Sequence, residues 1–196
     1  MGRIIVSENI SVDGVTQDPW GDDGLDFGGW HHRVSEPDRA AWAEAEHLEA
    51  VRASAILLGG RTYEFFAPRW TERSGDWGDR MRELPKFVVS TTIREPTWAN
   101  TTVLDDDPVT EIASLKRSVD GDIVVYGSGR LVRTLMDHVL VDEFRLMTFP
   151  FILGGERFFD ASDAVTDLTL LSMRTVGESL TLATYAVQPQ GSQLGF

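Results

Sequence analysis

Four places in this 196-residue chain put glycine, hydroxyl and arginine residues at the end of an apolar run. They are Ser11-Val12-Asp13-Gly14, Gly59-Gly60-Arg61-Thr62-Tyr63, Ser90-Thr91-Thr92 and Gly127-Ser128-Gly129-Arg130. Residues of these types bind anions. Glycine lets a ligand approach the backbone, a helix start aims unpaired N–H groups at negative charge, and a guanidinium with neighbouring hydroxyls holds a second charged group. The strongest of the four is the last, where Val124-Val125-Tyr126 breaks at a Gly-x-Gly turn and passes into the helix-periodic Leu131, Val132, Leu135 and Met136. Together they fit a ligand with more than one phosphate, a dinucleotide. Each turn also has a plain structural reading: glycine packs a helix tightly on its strand, Ser90-Thr91-Thr92 ends a strand, and Arg61 caps a helix or pairs with Glu64.

The elements that must carry these turns alternate. Arg3 to Ile10 reads as a strand, and a loop rich in Asp, Gly and Trp follows to Trp30. Ser35-Glu36-Pro37-Asp38 has capping-box spacing and opens a helix with Trp42, Ala45, Leu48 and Val51 on one side. Ala55 to Gly60 is a buried strand, Thr62 to Phe66 a short helix, and the stretch through Trp70 and Trp77 a polar excursion. Phe87 to Ser90 and Thr101 to Leu104 are strands, and Asp107-Pro108 starts a helix through Lys116. After the glycine turn and its helix, Glu143 to Leu153, Leu168 to Gly177 and Leu180 to Val187 are rich in β-forming residues, the last two joined as a hairpin at Gly177-Glu178-Ser179. This order predicts an α/β fold, a mostly parallel mixed sheet with helices on both faces and an antiparallel hairpin at the end. One domain is expected over 1–188, with a loose tail over 189–196. In such a sheet the loops leaving the strand C-termini share a rim, where ligands bind.

Composition narrows the function classes. A formal net charge of −13 disfavours nucleic acid, whose phosphates call for clustered Lys and Arg. No apolar run is long enough to span a bilayer, and no signal-peptide layout precedes Arg3-Ile4-Ile5-Val6, so a cytoplasmic protein with no membrane partner is expected. Without cysteine there is no disulfide, thiol nucleophile or Cys-type zinc site. His31 and His32 are sequential and read as a solvated loop pair rather than as metal ligands.

The chain resembles the dihydrofolate reductase-like superfamily, in particular the reductase domain at the C-terminal end of the bifunctional riboflavin-biosynthesis deaminase/reductase and its stand-alone bacterial relatives. The resemblance runs from about Arg3 to Val187. It is carried, in order, by Ser11-Val12-Asp13-Gly14; Leu57 to Tyr63 with Trp70; Leu84-Pro85-Lys86-Phe87-Val88-Val89-Ser90; Tyr126 to Leu131; and Leu140 to Leu146 with Pro150 and Ile152-Leu153-Gly154-Gly155. It implies a three-layer fold and an NADPH site along the sheet rim. By position, Gly60, Arg61 and Thr62 match the segment that holds the cofactor phosphates. Ser90 and Thr91 match the turn that joins the arginine at the adenosine 2′-phosphate. Gly127, Ser128, Gly129, Arg130 and Leu131 match the turn over the pyrophosphate, and Asp13 with Gly14 the loop near the nicotinamide. Arg61 with two hydroxyls favours NADPH over NADH.

On the substrate side Asp13 and Asp38 are the candidate catalytic carboxylates, Asp13 the better placed. Each has a structural alternative, a turn with Gly14 for one and a helix cap for the other. Asp38 departs from the folate-reductase spacing, which counts against folate. The His and Cys set of the zinc deaminase is absent, so any deamination happens elsewhere. The expected activity is an NADPH-dependent reduction of a small polar heterocycle or an imine or carbonyl compound, with 5-amino-6-(5-phosphoribosylamino)uracil as one candidate substrate. A nucleotide- or flavin-binding protein without turnover and a pterin or folate reductase remain open. The apolar late strands, together with the habit of such relatives, imply a homodimer.

Overall fold

The computed structural model describes residues 1–159 and 165–188; the expected loose tail lies outside them. Its strands are β1 (Arg3–Ser11), β2 (Ala53–Gly59), β3 (Lys86–Val89), β4 (Thr101–Leu104), β5 (Asp122–Tyr126), β6 (Glu143–Phe149), β7 (Leu168–Val176) and β8 (Leu180–Val187). The helices are α1 (Glu36–Arg52), α2 (Gly60–Thr71), α3 (Asp76–Glu83), α4 (Pro108–Ser118) and α5 (Gly129–Asp137), with a 3-10 turn over Trp30–Arg33. The strand order is β4-β3-β2-β5-β1-β6-β8-β7. Pairs β4/β3, β3/β2 and β2/β5 are parallel, whereas β6/β8 and β8/β7 are antiparallel. This is the mixed α/β sheet expected, with the hairpin at its end.

The residues group into two compact units. The first comprises Met1–Val6 and His47–Asp142, the second Ser7–Glu46 and the described residues from Glu143 onward. In the first unit Ile56, Leu58, Val88 and Val124 from three strands pack with Tyr63, Met81 and Trp98. Lys86, fully buried on β3, donates from Nζ to the Met81, Arg82 and Leu84 carbonyls at 2.8, 3.1 and 2.6 Å. A cation thus satisfies carbonyls that the end of α3 leaves unpaired. In the second unit Trp30, Val34, Met147, Phe149, Val176 and Leu180 form the core, with Trp42 against it.

Local signals placed most of the elements. Asp107 caps α4, accepting from the Thr110 amide at 3.0 Å. Four expectations are corrected. The excursion past Trp70 is helical: α2 extends to Thr71, and α3 follows behind a left-handed Gly75. Only Gly78 and Met81 of α3 are buried, so it carries little periodic signal; Arg80 ties it to the Ala50 and Ala53 carbonyls instead. The apolar stripe on α1 holds for Trp42 and Ala45, but Leu48 and Val51 are exposed and Ala50 is buried in their place. Strand β6 stops at Phe149, not Leu153. His31 is not a solvated partner of His32 but is 3% exposed.

Candidate active site

The anion-binding residues foreseen in three of the four loops all fall in the first unit. Strand β2 runs straight into α2, whose N-cap is Gly59, and β5 reaches α5 through Gly127 and Ser128. Neither helix has a side-chain cap, so the first amides of both keep their hydrogen-bonding capacity and their partial positive charge. Gly127 and Ser128 are both left-handed, with φ of 55° and 65°. Glycine adopts this freely, while serine does so only at a cost in energy, a sign that the surroundings fix it.

The Ser128 side chain shows what fixes it. Its Oγ accepts from the Gly59 amide at 2.9 Å. Its proton has two acceptors in reach, Thr62 Oγ1 at 2.9 Å and the Tyr126 carbonyl at 3.1 Å. One hydroxyl therefore joins the starts of α2 and α5. The third loop is close by, since a methyl added at Gly60 would come within 3.2 Å of Ser90 Oγ. The Ser90 hydroxyl accepts from the Thr92 and Ile93 amides at 3.2 and 3.1 Å and so shapes its own turn, while Thr91 is exposed. Leu131 is buried and anchors the first turn of α5.

Arg61 and Arg130 are exposed in these first turns. Among the described residues neither guanidinium has a hydrogen-bond or salt-bridge partner, and the Arg61–Glu64 pair considered from sequence does not form. Two uncapped helix starts, two exposed guanidinium groups and a left-handed turn are donors from which a cradle for anionic oxygens can be built.

Asp13, Gly14 and Asp38 lie in the second unit. Asp13 accepts from Ser11 Oγ at 2.6 Å, the Leu153 amide at 3.1 Å and the Gly154 amide at 2.8 Å. These bonds, the Ser11 hydroxyl foremost, hold its carboxyl down at about 2. Gly14 is left-handed at φ 82°, with open space around its α-carbon. Asp38 accepts from the Glu178 amide at 2.6 Å, the Ser179 amide at 3.0 Å and Ser179 Oγ at 2.6 Å, and so fastens α1 to the β7–β8 turn. Burial opposes its ionisation, yet these bonds prevail and leave it at about 2. The helix cap comes instead from Ser35, whose Oγ accepts the Asp38 amide. Both carboxylates are ionised clasps. A third was missed in sequence: buried Asp18 accepts from the Asp23 and Leu25 amides, both at 3.0 Å, and organises the loop before Trp30. Its only signal was an Asp in a glycine-rich stretch.

The sequence model of the RibD C-terminal domain family matches residues 3–182. The chain belongs to that family. The match runs through both units and every candidate residue. Solved structures agree with this RibD C-terminal domain in fold. A riboflavin biosynthesis protein from Shewanella sp. PV-4, described as putative, superposes with a TM-score of 0.73 at 22% identity, over 95% of this chain and 99% of that one. Acinetobacter baumannii RibD gives 0.69 at 14% identity, over 96% of this chain and 58% of its own. Dihydrofolate reductase from Enterococcus faecalis, complexed with NADP(H), gives 0.58 at 13% identity, over 95% and 97%. Protein YyaP of Bacillus subtilis (strain 168) is 31% identical over 84 residues, 42% of this chain and 44% of that protein's length. The fold is that of the dihydrofolate reductase-like proteins. No described helix is long and apolar enough to cross a membrane.

Proposed function

We propose that this chain is an NADPH-dependent reductase that delivers hydride to a small polar heterocycle or an imine or carbonyl compound. The observation that carries the reading is the joint presented by Ser128: two uncapped helix starts with an unpaired arginine in each first turn. Such a cradle suits a pyrophosphate, with Arg61 and the exposed Thr91 available to an additional 2′-phosphate. With NADPH bound, the hydride comes from the cofactor; the protein's part is to align the partners and exclude water. Asp13 and Asp38 take positioning roles, holding the loops they clasp, because an ionised and fully bonded carboxylate has no proton to give. The same fact weighs against a folate reductase that relies on Asp38.

Membership of the RibD C-terminal family makes 5-amino-6-(5-phosphoribosylamino)uracil the first substrate to try. A homodimer working in the cytoplasm completes the proposal. The exposed Leu168, Leu170, Leu171 and Met173 on the edge strand β7 support the dimer. One observation favours a second reading, a nucleotide- or flavin-binding protein without turnover: neither candidate carboxylate is a proton donor. The test is NADPH oxidation followed at 340 nm (about 6 kcal/mol of binding gives half-saturation at tens of micromolar) against pyrimidine, pterin and carbonyl panels. Substrate-dependent oxidation supports the reductase, binding without oxidation supports the second reading, and no NADPH binding overturns both the cofactor and the reductase.

A further inference from the structure

The least expected side chain in the molecule is His31. The residue is 3% exposed, and among the described residues neither Nδ1 nor Nε2 has a hydrogen-bond partner. The imidazole is enclosed by other rings. Trp20 lies at 4.1 Å centroid separation and 39° tilt, Trp42 of α1 at 4.2 Å and 73°, and Phe149 at the end of β6 at 5.5 Å. Two buried nitrogens without partners cost free energy, so their placement calls for an explanation. A neutral imidazole tolerates aromatic walls. An imidazolium there would carry two N–H donors with no acceptor, a larger penalty.

The charged groups that face the ring strengthen that bias. They are His32 beside it and Arg39 of α1, both positive or able to become so; Trp20, Trp42 and Phe149 bring no charge. Arg39 donates to the His32 and Val34 carbonyls, which pins it next to the 3-10 turn. Burial first, and then these two cations, hold the imidazole down at about 4. Attraction between a cation and ring faces works the other way, against the loss of solvation that burial imposes on the imidazolium.

The segment held by this ring is slight. The His31 amide donates to the Pro19 carbonyl at 3.0 Å, the Gly29 amide to Asp18 at 2.9 Å and the His32 amide to Gly29 at 3.0 Å. The loop from Asp18 to Gly29 has no strand or helix of its own. Its attachment to α1 includes the contacts of Trp20 with the His31 and Trp42 rings. We infer that His31 is an acid-sensitive latch: protonation expels its ring from between Trp20 and Trp42 and releases the loop over residues 18–33 from α1. The sign follows from linkage. The unfolded or released form binds a proton at an ordinary histidine affinity and the latched form resists it, so the latched state is favoured at neutral pH and weakens as pH falls below about 6.5.

The test uses the whole chain, wild type and His31→Phe. Histidine NMR titration reads the imidazole directly, and backbone hydrogen exchange at pH 7 and pH 4.5, corrected for intrinsic rates, reads the loop. The expected result is one histidine titrating well below the other three, with protection at Gly29, His31 and His32 falling at least tenfold on acidification while β2 keeps its own. His31→Phe, which fills the box without a titratable group, should abolish the fall. An imidazole that titrates at or above about 6.5, loop protection that does not change with pH, or an equal fall in His31→Phe would overturn the latch. Should His31→Phe fail to fold, the wild-type titration and exchange still decide the matter.

Discussion

The Oγ of Ser128 lies 2.9 Å from Thr62 Oγ1, so a residue before α5 is hydrogen-bonded to the first turn of α2. Two effects of this serine can be separated by substitution. Alanine removes the hydroxyl and keeps the strained φ of 65°, whereas glycine removes the hydroxyl and relieves the backbone. Ser128→Gly should therefore be more stable than Ser128→Ala by about 1 kcal/mol, with both binding NADPH more weakly than wild type. Denaturant unfolding and NADPH titration check this. Equal stability of the two variants would mean that the left-handed conformation is not costly here.

Arg61 should decide between the two nicotinamide cofactors. Its unpaired guanidinium is free to take a 2′-phosphate, so Arg61→Ala is expected to weaken NADPH by about 1.5–3 kcal/mol and NADH far less. Titration of both cofactors on the same variant reads the difference, and equal losses would remove Arg61 from the specificity site.

The two glycines of the turn should behave differently. Gly127 is left-handed, and alanine there costs about 1 kcal/mol of backbone strain whatever the ligand does. Gly129, the first residue of α5, has no positive φ. Gly129→Ala should leave the melting temperature nearly unchanged and lower NADPH affinity, if the ligand approaches the backbone. Unchanged affinity beside a large stability loss would make the turn a packing device.

Asp38 is expected to matter for stability more than for chemistry. Removing its carboxylate in Asp38→Ala strands the Glu178 and Ser179 amides and the Ser179 hydroxyl; a hydrogen bond to a charged group contributes about 1.5–3 kcal/mol, so the melting temperature should fall. A methyl at Gly177 would collide with the Asp38 side chain, so Gly177→Ala should act in the same direction. The folded carboxyl is held below its ordinary value, hence its contribution is complete above pH 4 and is lost as pH falls towards 2. A melting temperature of Asp38→Ala equal to wild type at pH 7 would contradict the clasp.

For the dimer, charge on the edge strand is the probe. Leu170 and Met173 are 51% and 65% exposed on β7, and Leu170→Glu with Met173→Glu should yield a monomer by light scattering with the fold intact. A wild-type monomer at micromolar concentration would end the dimer proposal.

By itself the sequence determined what depends on neighbours along the chain. Apolar runs ending in glycine marked β2 and β5, Asp107-Pro108 marked the start of α4, and Gly177-Glu178-Ser179 marked the hairpin, because strand length, capping and turn geometry are local properties. The two strand–turn–helix starts that we propose for the cofactor were legible for the same reason, each being local in sequence. Only the tertiary structure decided how polar groups are satisfied. Asp38 looks like a cap or a catalytic acid until the turn 140 residues later donates to it. Asp13 changes from candidate acid to clasp when Leu153 and Gly154 arrive. The α1 stripe extrapolated to Leu48 and Val51 fails because periodicity tells which residues share a side and not where along the helix that side is covered. His31 is the clearest case: its type supplies two polar nitrogens, but whether they meet water or three aromatic rings depends on Trp20, Trp42 and Phe149, which the chain brings together only on folding.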